Sequence, residues 1–234
     1  MRLISPRLAP FVLAAIASFG AFSPTIQAAA EPGYSDKLTA SDRPGWINLV
    51  GGPGIKDYAG SPALWLPNVV TYHALGATLT KSFSVSWDIA TDKYQTTDYV
   101  GLFDGNLGHG YVVFWDSSTE KDNNGQGLIA IGKVNMPAAG ATWNDYSIYF
   151  NKANSVLGSA PSGTDPGPHL IAAGKRPQTT VKLTWDAATQ KLTASVNGKD
   201  LVTATDPDFK SFSNVVIFGN MNGWANNLVV EGVK

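Results

Sequence analysis

The chain has 234 residues, 44% of them hydrophobic and only 15% charged, a balance that excludes a solvated disordered polymer and predicts a folded protein. Seventeen basic residues against eighteen acidic ones leave a formal charge of −1, with no lysine or arginine run to follow a phosphate backbone, so nucleic acid is not an expected partner. Cysteine is absent, which removes disulfides, thiolate nucleophiles and cysteine zinc sites together.

Arg2 and Arg7 precede an apolar stretch from Leu8 to Phe22, followed by Ser23, Pro24 and the small-residue run Ala28-Ala29-Ala30. That order of charged region, apolar region and A-x-A-like cleavage site predicts a signal peptide over residues 1–30. A membrane-spanning helix is the weaker reading, because Pro10 interrupts the stretch and about twenty apolar residues are needed to cross a bilayer. Residues 31–234 are then expected to form one secreted or periplasmic domain, not inserted in a membrane after cleavage, whose stability comes from packing alone.

From Trp46 onward apolar residues recur at every second position or in short two-sided runs, and no window carries a clean helical period. Phe83, Val85, Trp87 and Ile89 alternate with Ser82, Ser84, Ser86 and Asp88, as a strand with one buried and one wet face requires. Val181, Leu183 and Trp185 repeat the device, as do Leu192, Ala194 and Val196. Tyr99 to Phe103, Tyr111 to Trp115, Leu128 to Ile131 and Val215 to Phe218 are apolar on both faces, so loops or a ligand should cover their second side. Asp104-Gly105, Asn124-Gly125, Asn197-Gly198 and Asn222-Gly223 supply the positive-φ pairs of tight turns. Together these predict an all-β, two-sheet antiparallel sandwich.

A Trp-Asp dipeptide followed five residues later by lysine occurs at Trp87, Trp115 and Trp185. The spacings are unequal, which excludes propeller blades. A local cause suffices: the tryptophan ends a strand on its buried face and the aspartate accepts backbone N–H groups to start a turn.

The run from Thr180 to Asp206, TVKLTWDAATQKLTASVNGKDLVTATD, reads as strand, polar turn, strand ending in Asn-Gly, and further strand. It resembles the hairpins of laminin-G-like members of the concanavalin A-like lectin/glucanase superfamily. Asp98 to Ser117 and Asn214 to Gly232 look like the corresponding inner and final strands. The resemblance implies a jelly roll of a kind that often binds glycans, and it carries no catalytic residue. Fold does not settle function, since lectins, binding modules, glycosidases and lyases share it.

Glycoside hydrolysis needs two carboxyl groups flanking the bond. The chain has only Glu31, Glu120 and Glu231, and the E-x-D-x-x-E run that the resembling glucanases carry is absent. A polysaccharide lyase needs a base, for which His109, set between glycines at the mouth of a strand, is the best candidate among His73, His109 and His169. No Gly-x-Ser-x-Gly elbow is present. Asp116, Glu120, Asp122, Asn123 and Asn124 gather oxygen ligands with which Ca²⁺ is compatible, but their spacing misses the calcium-loop pattern and a solvated turn is the plainer reading. No cofactor is required by any motif.

Seven tryptophans and eight tyrosines favour binding on aromatic platforms, where the C–H face of a pyranose lies on an indole while amides and carboxylates bond its hydroxyls. Trp87 and Trp185 are in phase with core residues, and Trp115 suits either role. Trp143, beside Asn144 and Asp145, and Trp224, within Asn220-Met221-Asn222-Gly223, stand in polar or glycine-rich surroundings. The favoured reading is therefore a secreted, non-catalytic carbohydrate-binding domain using Asp104, Asn106, His109, Trp143, Asn220, Asn222 and Trp224. The alternatives are a lyase or hydrolase with His109 as base, or a structural or adhesion protein.

Overall fold

The computed structural model describes residues 33–91, 97–116, 127–135, 142–146, 151–163, 178–220 and 223–232; the expected leader and the Asn124-Gly125 turn lie outside them. In chain order the strands are β1 (Tyr34–Asp36), β2 (Trp46–Val50), β3 (Gly54–Tyr58), β4 (Ser61–Leu66), β5 (Val69–Leu79), β6 (Phe83–Thr91), β7 (Thr97–Phe103), β8 (His109–Asp116) and β9 (Leu128–Asn135). A single helical turn, α1 (Trp143–Tyr146), is followed by β10 (Ser155–Pro161), β11 (Thr179–Asp186), β12 (Lys191–Val196), β13 (Lys199–Thr205), β14 (Phe212–Gly219) and β15 (Gly223–Gly232).

The strands form two antiparallel sheets packed as a sandwich. Sheet A runs β13-β12-β11-β6-β15-β4-β3, with β1 added on β15, and sheet B runs β10-β9-β8-β7-β14-β5-β2. The alternating sequences went where their period dictates. Phe83, Val85, Trp87 and Ile89 of β6, with Val181, Leu183 and Trp185 of β11, turn inward and meet Val100, Leu102, Tyr111, Val113 and Trp115 of sheet B in one core. Trp87, Trp115 and Trp185 are all buried there, so the open choice for Trp115 closes in favour of packing.

The two-sided runs belong to sheet B. Its second face carries a separate apolar cluster of Val70, Tyr99, Phe103, Val112, Phe114, Val216 and Phe218. Tyr146 of α1 packs on that cluster, its ring 6.1 Å from Phe103 and 6.5 Å from Phe218, which supplies part of the cover that the sequence demands. The outward face of sheet A is mixed: Asp88 accepts from Thr180 Oγ1 (2.6 Å) and Asn227 Nδ2 (2.7 Å), while Tyr58, Ala63, Ala90 and Trp224 form a small apolar cluster with Trp65.

Turn chemistry is obeyed unevenly. Asn197 (φ 49°) and Gly198 (φ 80°) form the expected two-residue link between β12 and β13. Asp186 starts its turn by accepting the N–H groups of Ala188 (2.8 Å) and Thr189 (3.3 Å). Three expectations change. Asp104-Gly105 opens a longer loop between β7 and β8, because the Asp104 carboxylate organises several residues rather than two. β14 and β15 lie in different sheets, so the link between them is not a hairpin, and Asn222 itself lies outside the described residues. Asp88 sits mid-strand in β6 and bonds side chains of neighbouring strands, so it begins no turn.

Candidate functional site

The β7–β8 loop is built by one carboxylate. Asp104 Oδ1 accepts the backbone N–H groups of Asn106 (3.2 Å) and Gly108 (2.9 Å), and Asp104 O accepts Leu107 N–H (3.1 Å). Asp104 N–H donates to His109 O at 2.9 Å and closes the loop's base. Asn214 of β14 braces it from the side, donating Nδ2–H to Asp104 O at 2.6 Å. The remaining oxygen, Oδ2, lies 2.8 Å from His109 Nδ1. An ionised carboxylate only accepts, so Nδ1 carries the hydrogen and Nε2 is the ring nitrogen left for other partners. The His109 side chain remains 53% exposed, so this oriented imidazole is reachable from solvent.

The opposite wall is the connector between β13 and β14, which crosses from sheet A to sheet B at the same end of the sandwich. Asp104, His109, Asp208, Phe209, Lys210 and Ser211 line an open cleft of about 290 Å³. The Phe209 ring stands 5.2 Å from His109 and 5.0 Å from Tyr111, contributing an apolar surface beside the imidazole. Asn106 is exposed on the rim.

A second polar network anchors that connector. Tyr111 donates its O–H to Asp206 Oδ1 at 2.5 Å and accepts Phe209 N–H at 3.1 Å. Lys133 Nζ donates to Asp206 Oδ2 at 2.9 Å and also to Asp208, and lies 5.1 Å from the centre of the Phe209 ring. Burial raises the Tyr111 hydroxyl above its ordinary value, and the hydrogen bond to Asp206 adds to the effect. Partial burial pushes the Asp206 carboxyl up, yet the bonds from Tyr111, Lys133 and Asp208 N–H together outweigh it and hold it below the usual range. Desolvation works against the Lys133 cation in the same way and is overcome by Asp208 and Asp206, so its value rises.

Of the expected site residues, Asp104, Asn106 and His109 come together at this end. Asn220 follows β14 at the far end, its N–H bonded to Asp98 Oδ1 at 3.2 Å. Asp98 and Asp104 are six positions apart along one extended chain, which separates the two ends by about 20 Å. Trp224 belongs to that far end as well and is buried, at 5% exposure. The side chain of Trp143 and the whole of Asn222 lie outside the described residues, as do Glu120, Asp122 and Asn124 among the candidate calcium ligands. Asp116 closes β8, and among the described residues no group of three histidine or acidic side chains is placed to hold a metal ion.

Sequence reasoning missed Lys133, Asp208, Phe209, Lys210 and Ser211. The run Asp206-Pro207-Asp208-Phe209 has the composition of a built turn with an aromatic tip, a signal that was available. Lys133 had none, because its partners are more than seventy residues away.

Comparison with protein-family models and with curated protein sequences found no match. Solved structures do match. A family 16 glycoside hydrolase from Bacteroides ovatus superimposes with a TM-score of 0.56 at 9% identity, over 85% of this chain and 98% of that one. A Bacillus subtilis protein described as having a galectin-like fold gives 0.55 at 13% identity, over 85% and 94%. The carbohydrate-binding module CBM66 from Bacillus subtilis gives 0.50 at 14% identity, over 80% and 95%.

The fold is a concanavalin A-like jelly roll. At these identities the likeness concerns architecture alone, and function must be read from the chain's own cleft.

Proposed function

We propose that this jelly roll is a secreted protein that binds a carbohydrate, without catalysis, in the cleft between the β7–β8 loop and the β13–β14 connector. The observation that carries the reading is the braced imidazole: His109, fixed by Asp104, beside the Phe209 ring and opposite Lys210 and Ser211. A pyranose needs an apolar surface for its C–H groups and several directed polar groups for its hydroxyls, and the cleft offers both within one open volume. The solved relatives described as a carbohydrate-binding module and a glycoside hydrolase favour the same ligand class. Secretion is supported by the n-region, apolar run and Ala28-Ala29-Ala30 of the leader.

An Asp–His pair can also remove a proton, so the same geometry favours a lyase or hydrolase as the second reading. Incubation of the mature protein on a glycan array, followed by assays for new reducing ends and for unsaturated products at 235 nm, decides between them. Binding with no product is the expected result. Product that disappears in His109→Ala would establish the enzyme, and absence of both binding and product would leave a structural or adhesion protein.

A further inference from the structure

We propose a second saccharide site on the outward face of sheet A, far from the cleft, with Trp65 as its platform and Lys56 as a displaceable cover. The registers of β3, β4, β15 and β6 set Gly54, Trp65, Trp224 and Ala90 side by side in one row. The next row along the strands begins with Lys56 opposite Ala63 and ends with Asn226 opposite Asp88. Two indoles therefore lie next to each other with Gly54 and Ala90 at the ends of the row, Trp65 half-buried and Trp224 buried. Tyr58 closes the patch at one side, its ring 5.3 Å from that of Trp224.

Two polar atoms in this patch are buried without a partner. Among the described residues, Trp224 Nε1–H has no acceptor and Asn226 Oδ1 has no donor. Leaving such groups unmatched is costly, and on an outward sheet face the missing partner can be a ligand. Trp224 and Asn226 are two positions apart on β15, so they point the same way about 7 Å apart, one a donor and the other an acceptor. That pairing suits a neutral sugar, whose hydroxyls both give and accept. It suits neither an anion nor a cation alone.

The platform itself is only half-buried, and the group resting on it is the Lys56 ammonium, 3.1 Å from the ring centre. Lys56 is an exposed side chain on the edge strand β3. A cation on an exposed lysine arm resting on a half-buried indole is held weakly, so a pyranose face can replace it and carry its hydroxyls toward Trp224 Nε1 and Asn226 Oδ1. The inference shares its ligand class with the proposed function but rests on different residues, so the two stand or fall separately.

The test is a titration of the ¹⁵N-labelled mature protein with cellohexaose, xylohexaose and mannohexaose, following the indole N–H signals of Trp65 and Trp224. Both are expected to shift with at least one hexaose, in the wild type and equally in Phe209→Ala. Trp65→Ala should weaken that binding at least tenfold, and Lys56→Ala, a surface change that spares the fold, should tighten it two- to fivefold. Shifts confined to His109 and its neighbours would overturn the second site and leave the cleft standing. Shifts confined to the two indoles would do the reverse, and no shift with any hexaose would overturn both.

Discussion

Two carboxyl groups in this protein respond to their surroundings in opposite directions. Asp98 is fully buried between the sheets, against Gly223, with Asn220 N–H on Oδ1 and, among the described residues, no hydrogen-bond donor on Oδ2. Burial raises its value well above the ordinary one, so the folded state keeps the proton longer than the unfolded chain does. That stabilisation is complete below the unfolded value of about 3.9 and is lost as pH rises through the folded one. Asp98→Asn should therefore match the wild type in urea unfolding at pH 3 and exceed it at pH 8 by about 1–3 kcal/mol. Asp206 is the reverse case: its lowered value contributes stability above about pH 4 that disappears as pH falls through the folded value. Lys133→Met removes the cation from Asp206 and Asp208; it should cost about 2 kcal/mol at pH 7 and flatten the acid limb of the stability profile. An unchanged acid limb in that variant would refute the role given to Lys133.

At the scale of single elements, the period of the sequence was a reliable guide to strands and a poor guide to where chain segments meet. Phe83 to Ile89 announced an alternating strand and became one, because side-chain alternation and burial on one face are the same constraint. Tyr99 to Phe103 announced a strand covered twice and is buried along its length. Turn identity was legible only where both flanking strands share a sheet. Asn197-Gly198 met that condition and Asn222-Gly223 did not, since nothing local records that the chain changes sheets. Gly198 has φ +80°, so Gly198→Ala should lower stability by about 1 kcal/mol, read as a drop of a few degrees in the melting temperature. Gly101→Ala should do far more, because a Cβ there would sit 2.2 Å from Tyr111 O; loss of the cooperative transition is expected, and a normal melt would contradict the β7–β8 packing described above.

For the molecule as a whole, the sandwich divides its surfaces by chemistry. The outward face of sheet B is apolar and partly roofed by Tyr146, the outward face of sheet A joins the polar group around Asp88 to the small Trp65–Trp224 cluster, and the end where β7 turns into β8 gathers the oriented imidazole, the Phe209 ring and the charged connector. Asp104, Asn106 and His109 could be singled out in the sequence because one short loop contains them. The other half of the cleft could not, since it exists only where a crossover between sheets happens to return, held by Tyr111 and Lys133 through Asp206. Trp224 illustrates the converse: its glycine-rich neighbours suggested an open ring, yet it packs with Tyr58, Ala63 and Ala90 and is buried. Saccharide binding at the Asp104–His109 end is open to direct test. Calorimetric titration of the strongest array ligand into wild type, His109→Ala and Phe209→Ala tests it most directly. Each variant, folded by circular dichroism, should lose about tenfold in affinity, equivalent to about 1.4 kcal/mol; wild-type affinity in both would contradict the account.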